Sequence, residues 1–160
     1  MENEIYYSLG IDERLACISE KKYWNLLVKD SEFVVVQSFA EYIDEEPYLS
    51  LLSEHENAAI RRIIALKGYK PEKMVEDISE RVRGAVAETG MYLERLKNDT
   101  SAYVRGMVAG QGYALDELKE DKNAFVRLCV KKYTGDYLKN TDPIEENIKK
   151  NEEFCILDRV

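Results

Sequence analysis

Histidine occurs once in this 160-residue chain, as His55, and cysteine three times, as Cys17, Cys129 and Cys155. Three thiols, far apart and odd in number, fit a reduced, cytoplasmic chain better than a disulfide scaffold or a metal site. No run of about 18 apolar residues occurs, so no membrane span is expected. The opening MENEIYYSLG has neither a basic stretch nor an apolar stretch behind it, so no signal peptide is expected either. Phosphate-binding loops, dinucleotide fingerprints and zinc spacings are all missing. Carboxylates are plentiful, 31 in all, so adjacent pairs arise by chance and carry no catalytic argument. With no catalytic constellation and no metal or cofactor spacing, the chain reads as a non-enzyme without a cofactor.

Charge is present but uneven. The net charge is −8 with a pI near 4.9. Residues 1–52 hold 11 acidic and 4 basic side chains, whereas residues 53–160 hold 20 and 19. An acidic chain repels a phosphate backbone at long range, which argues against direct nucleic-acid binding.

The dominant feature is an internal repeat of 22 residues. DISERVRGAVAETGMYLERLKN begins at Asp77, DTSAYVRGMVAGQGYALDELKE at Asp99, and DKNAFVRLCVKKYTGDYLKN at Asp121. Val82, Val104 and Val126 fall in one column, Arg83, Arg105 and Arg127 in the next, and Gly90 and Gly112 in another. HENAAIRRIIALKGYKPEKMVE, from His55, fits the same frame through Ile60, Arg61, Ala65 and Gly68. The stretch from Asp30 fits once three residues are inserted near Asp44–Pro47, which puts Val35, Phe39 and Ala40 in the columns of Val104, Val108 and Ala109. A second apolar column holds Trp24, Leu49, Pro71, Leu93, Leu115 and Tyr137, and a third holds Leu27, Leu52, Met74, Leu96, Leu118 and, approximately, Asn140.

Each unit reads as two helices. Asp99 or a polar neighbour caps a first helix of roughly ten residues, whose apolar face carries Val104, Val108 and Ala109. Gly112 ends it in a left-handed conformation, and a short second helix carries Leu115 and Leu118. One such unit cannot bury its apolar face alone, but stacked units can. The expected fold is therefore all-α: a single domain over residues 1–160, a right-handed α-solenoid of short helix pairs. About five repeats over residues 30–142 sit between irregular caps at 1–29 and 143–160. Leu15, Ile18, Trp24 and Leu27 would close one end, and Ile144, Ile148 and Phe154–Leu157 the other.

The motif D-x-S-x-x-V-R-x-x-V-A-x-x-G, carried by Asp77, Val82, Arg83, Val86, Ala87 and Gly90 and again by Asp99, Val104, Arg105, Val108, Ala109 and Gly112, resembles bacterial HEAT-like repeats. The closest likeness is to the leucine-rich repeat variant type, and it covers about residues 30–142. The resemblance implies an α-solenoid, with some short helices of the 3₁₀ kind, that serves as a binding scaffold. One protein type of that family carries an iron–sulfur cluster on cysteines near its N-terminus; only Cys17 is available here, so that cofactor does not carry over.

Two groups of residues compete for a functional reading. The arginines Arg61, Arg83, Arg105 and Arg127 recur at repeat spacing, but each follows a core residue, and Asp77, Asp99 and Asp121 head units in the same stack. A ladder of bidentate Arg–Asp pairs between neighbouring units uses both columns structurally. Aromatic columns (Tyr69 with Tyr113, Tyr103 with Phe125) read as packing between repeats. Gly84 and Gly106, inside helices, read as sites of close helix approach. The insertion EYIDEEPY is different, because it breaks the register. Glu41, Tyr42, Asp44, Glu45, Glu46 and Tyr48 there would suit a basic protein partner. The leading expectation is a protein-binding scaffold. Its first rival is a small acidic inhibitor that mimics nucleic acid, in the manner of phage-type regulators; its second is a HEAT-like DNA-processing enzyme, for which the chain lacks a basic excess.

Overall fold

A computed structural model describes residues 2–136, and all of their regular structure is helical. Tyr137, Asn140, Pro143, Cys155 and the segment read as a C-terminal cap, 143–160, lie outside the described residues. Two kinds of helix alternate after α1 (Glu2–Ser8). The longer ones are α2 (Ile11–Ser19), α4 (Phe33–Tyr42), α6 (Ala58–Leu66), α8 (Glu80–Glu88), α10 (Ala102–Gly110) and α12 (Ala124–Thr134). Between them lie the short α3 (Trp24–Leu27), α5 (Tyr48–Ser53), α7 (Pro71–Met74), α9 (Leu93–Leu96) and α11 (Leu115–Leu118).

Each long helix packs on the next one in chain order, α2 on α4 and so on to α12, and each short helix packs on the long helix that follows it. The repeat columns supply that core. Val82, Val86 and Ala87 of α8 and Val104, Val108 and Ala109 of α10 are fully buried, as is the third-column series Leu27, Leu52, Met74, Leu96 and Leu118. Burying such a side chain is worth about 1.5–3 kcal/mol. Four-residue helices have no stability of their own, so one buried leucine or methionine apiece is what holds them in place.

The starts of α6, α10 and α12 follow a relay. Asp99 is not itself the N-cap: its Oδ1 accepts the Ser101 N–H at 2.8 Å, and the Ser101 hydroxyl then accepts the Tyr103 N–H at 3.1 Å. Asp121 and Asn123 repeat this at α12, with Oδ1 of Asn123 on the Phe125 N–H. Two consecutive polar residues at alternate positions thus satisfy donors that a helix start leaves unpaired. His55 fills the aspartate position ahead of α6, where its Nδ1 accepts the Asn57 N–H at 3.0 Å.

The turn between the two helices of a unit has two left-handed residues. Gly90 (φ 78°) ends α8, and Tyr92 (φ 55°) stands immediately before α9. Lys70 and Ala114 occupy the position of Tyr92 in their units with φ 43° and 52°. Left-handed backbone costs a non-glycine residue of the order of 1 kcal/mol, yet residue types as unlike as Lys, Tyr and Ala accept it here. Gly84 and Gly106 lie where the next long helix comes close. What comes near is a ring: a Cβ on Gly84 would run into Tyr103, and one on Gly106 into Phe125. The aromatic of each long helix is seated over the glycine of the one before.

Candidate partner-binding surface

The arginines come first, because their geometry decides whether they are available to a ligand. Arg61 Nε and Nη2 donate to the two carboxylate oxygens of Asp77 at 2.7 and 2.9 Å, and Nη1 donates to the carbonyls of His55 and Glu56 at 2.8 and 2.9 Å. Arg83 makes the same set with Asp99, Asp77 O and Ile78 O, and Arg105 with Asp121, Asp99 O and Thr100 O. Each guanidinium thereby spends four of its five N–H groups, binding the start of its own unit and the start of the next. Their side chains are only 8–15% exposed. Arg127 begins another step, with Nη1 on the Asp121 carbonyl at 2.6 Å.

The electrostatics match this pairing. Burial would raise the carboxyls of Asp77 and Asp99, but the arginine across the joint, together with the N–H two residues on, overrides it and holds both below their ordinary value of 3.8. For Asp121 the Arg105 contact is the largest influence, with the same direction. The pattern also reaches into the segment assigned to the N-terminal cap. Arg14 Nη1 contacts both oxygens of Asp30 at 2.9 Å, Asp30 Oδ1 accepts the Glu32 N–H at 2.8 Å, and the buried Tyr6 hydroxyl donates to Asp30. One step is missing. Val36 stands where the α4 arginine belongs and is buried, and its partner position one unit later is His55. Both members of the pair are replaced together, so no charge is left buried alone.

The missing step coincides with the three-residue insertion. Here α4 does not end on a left-handed glycine; Ile43 leaves it in extended backbone (φ −74°, ψ 138°) with its side chain buried. The chain then runs over the surface to Pro47, which precedes α5 after a cis peptide bond. Each acidic residue on the way is tied to a neighbouring unit. Lys67 Nζ donates to Asp44 Oδ1 and to the Glu41 carbonyl, both at 2.9 Å. Lys21 Nζ reaches Glu45 Oε1 at 3.3 Å, and the Tyr69 hydroxyl donates to Glu46. Glu41 also accepts from Gln37 on its own helix.

Beneath this rim is an aromatic cluster. Trp24 is buried, its Nε1–H donates to the Ile18 carbonyl at 3.0 Å, and its ring meets those of Phe39, Tyr42 and Tyr48 edge-on at 5.6, 6.1 and 5.6 Å. Phe39 and Tyr48 are edge-on to one another as well. Lys21 Nζ lies 5.4 Å from the Trp24 ring centre. Tyr42 is nearly half exposed, so it carries the cluster to the surface. The six residues Glu41, Tyr42, Asp44, Glu45, Glu46 and Tyr48 are therefore gathered in one place, with Tyr48 packed inward and the rest at the rim. Sequence reading placed Tyr69 in an aromatic packing column and had no sign of Lys21 or Lys67; all three come from units on either side. The one available hint is the tyrosine after the turn glycine, since Tyr113 similarly donates to Glu94 of the unit before.

Chemically this is a fixed, acidic, aromatic-backed surface. Asp44 and Glu45 keep side-chain exposures of 80% and 57%, and a carboxylate has room for about four hydrogen bonds. The Cys17 thiol is pushed up by burial, away from the thiolate a nucleophile needs. Among the described residues no group of three or more His, Cys, Asp or Glu is disposed to hold a metal ion, and no helix is long and apolar enough to cross a membrane. No family model matches the chain, and neither a curated protein nor a solved structure does.

Proposed function

We propose that the chain is a non-enzymatic, cytoplasmic binding scaffold: a right-handed α-solenoid of HEAT-like repeats that recognises a basic segment of a partner protein through the insertion between α4 and α5. The observation that carries this reading is the break in the repeat. Elsewhere, acidic and basic columns neutralise one another between units. At the insertion, Asp44, Glu45 and Glu46 are held in fixed positions by Lys67, Lys21 and Tyr69 while much of the Asp44 and Glu45 carboxylate surface stays open. Tethered carboxylates lose little freedom on binding, which favours affinity, and Tyr42 adds rigid contact area beside them.

The test starts with affinity capture by the intact chain and identification of what is retained. Calorimetry with the purified partner should then show saturable binding that falls at least tenfold in the variant Glu45→Lys/Glu46→Lys. Unchanged affinity would remove the insertion from the contact. If DNA or RNA displaces the chain from that partner, the acidic surface is acting as a nucleic-acid mimic, and the scaffold reading gives way to the inhibitor.

A further inference from the structure

A second departure from the repeat lies at the joint of α6 and α8. At the two later joints, the second residue of the long helix is an aromatic lying over the glycine of the helix before: Tyr103 over Gly84, and Phe125 over Gly106. At α6–α8 the same two columns hold Arg81 and Arg62. Two like charges thus replace a ring and its seat, which costs electrostatic energy. Arg81 also occupies the first turn of α8, where the helix dipole disfavours a cation. An ion pair across the joint to Glu88 gives Arg62 one partner in the stack; nothing in the stack accounts for Arg81.

These residues line one cleft of about 150 Å³ together with Tyr103 and Glu80. The Arg62 guanidinium is only loosely engaged, 3.7 Å from Glu88. Arg81 is exposed and makes no hydrogen bond or ion pair among the described residues. The Glu80 carboxylate accepts the Ser101 hydroxyl. We infer that this cleft receives a single carboxylate, the acidic side chain of a partner protein, held between Arg62 and Arg81 against the Tyr103 ring. Arginine suits the task because its fork matches a carboxylate in two parallel hydrogen bonds. Glu80 and Glu88 cap the positive charge of the site, and the chain as a whole is acidic, so a run of phosphates is repelled where one carboxylate is accepted.

This inference rests on the scaffold reading but uses different units, so the two can fail separately. The probes are an acetylated, amidated glutamate-rich dodecapeptide and a twelve-nucleotide single strand, titrated into the intact ¹⁵N-labelled chain while the arginine Nε–H signals are followed. The peptide should shift Arg62 and Arg81 saturably, and Arg81→Gln should weaken it at least tenfold. Arg95→Gln, at an exposed arginine paired with Glu76, should change it less than twofold. The variant Arg62→Gly/Arg81→Tyr, which gives this joint the ring and glycine of its neighbours, should melt cooperatively and lose the peptide. Absence of a saturable shift, equal loss in Arg95→Gln, retained binding in the ring-and-glycine variant, or an oligonucleotide bound as tightly as the peptide would each overturn the assignment.

Discussion

From Arg61 to Asp121 the molecule repeats itself, joint after joint, with the same four arginine hydrogen bonds; between Val36 and His55 it does not. The two regions are held together by different physics. In the regular part, a guanidinium that is nearly out of solvent spans two units and satisfies the backbone at both. In the irregular part, a buried valine replaces the guanidinium, an imidazole replaces the carboxylate, and the cross-unit contacts move outward to the exposed Lys21 and the half-buried Lys67 and Tyr69. Buried charge is costly unless completely paired, so a repeat protein that gives up one partner must give up the other. That paired loss frees the surface near it to take another shape.

The largest effect should come from breaking a regular joint. Asp99→Ala strands Arg83 and leaves the Ser101 N–H without its acceptor. A loss of about 3–5 kcal/mol follows, the magnitude for removing one member of a buried pair, measured by urea unfolding. His55→Ala removes only the acceptor for the Asn57 N–H and should cost about 1 kcal/mol, in the range of a lost helix cap. Equal costs at the two positions would mean that the arginine contributes nothing beyond the turn.

Next in size is the attempt to rebuild the missing step. Val36→Arg alone buries an unpaired charge and should destabilise strongly. His55→Asp alone should be mild, since aspartate accepts the same backbone N–H in the other units. Combined, they should recover part of the loss, with a coupling energy of about 1–3 kcal/mol in a double-mutant cycle. Additive costs would show that α4 and α6 no longer stand in the repeat geometry, in spite of the shared columns.

Acid probes the same difference without mutation. Asp77, Asp99 and Asp121 have folded-state pKa values below 3.8, so their pairing contributes fully above that value and is lost as pH falls through the lower, folded-state values. Stability should hold down to about pH 4 and then drop steeply. Hydrogen exchange should show α8–α12 opening in that range more than the Val36–His55 joint, which has no such carboxylate.

How much of this the sequence discloses depends on whether a residue's role lies inside one unit or between units. Helices and core columns are readable because apolar spacing is a local property: Val104, Val108 and Ala109 announce their face. The arginine and aspartate columns are visible too, because they keep the register. The left-handed residue before α3, α7, α9 and α11 is not, since tyrosine (Tyr23, Tyr92), lysine (Lys70) and alanine (Ala114) all fill it; the neighbouring packing imposes that backbone. The relay from Asp99 through Ser101 was readable as polar residues at a helix start, but not which of them is the cap. Arg14 and Asp30 lay in a segment whose apolar pattern is irregular, although they keep the same 16-residue offset as the later pairs. The ties on the insertion depend on residues more than 20 positions away, and with no second example of the insertion there was no column to reveal them.

Glycine supplies a smaller contrast within the regular part. Gly84→Ala gains helix propensity but drives a methyl into the Tyr103 ring, and overpacking costs about 1–3 kcal/mol, so a net loss of about 1 kcal/mol is expected. Gly110→Ala, with nothing near its would-be Cβ, should gain about 0.5–1 kcal/mol. A stabilising Gly84→Ala would mean that the ring shifts freely and that the seat is not part of the packing.

The smallest effect tests the irregular region itself. Lys67→Met removes the contacts to Asp44 and the Glu41 carbonyl while keeping an apolar stem of similar length. Asp44 is largely solvated, and such exposed pairs contribute about 0–1 kcal/mol, so the melting temperature should move by no more than a few degrees. Its consequence should be local instead: faster amide exchange at Asp44, Glu45 and Glu46, with α8–α12 unchanged, because the tie orders the insertion without supporting the stack. A global loss as large as that of Asp99→Ala would erase the distinction between the two regions, since the insertion would then be part of what holds the units together and its carboxylates would be unavailable to a partner.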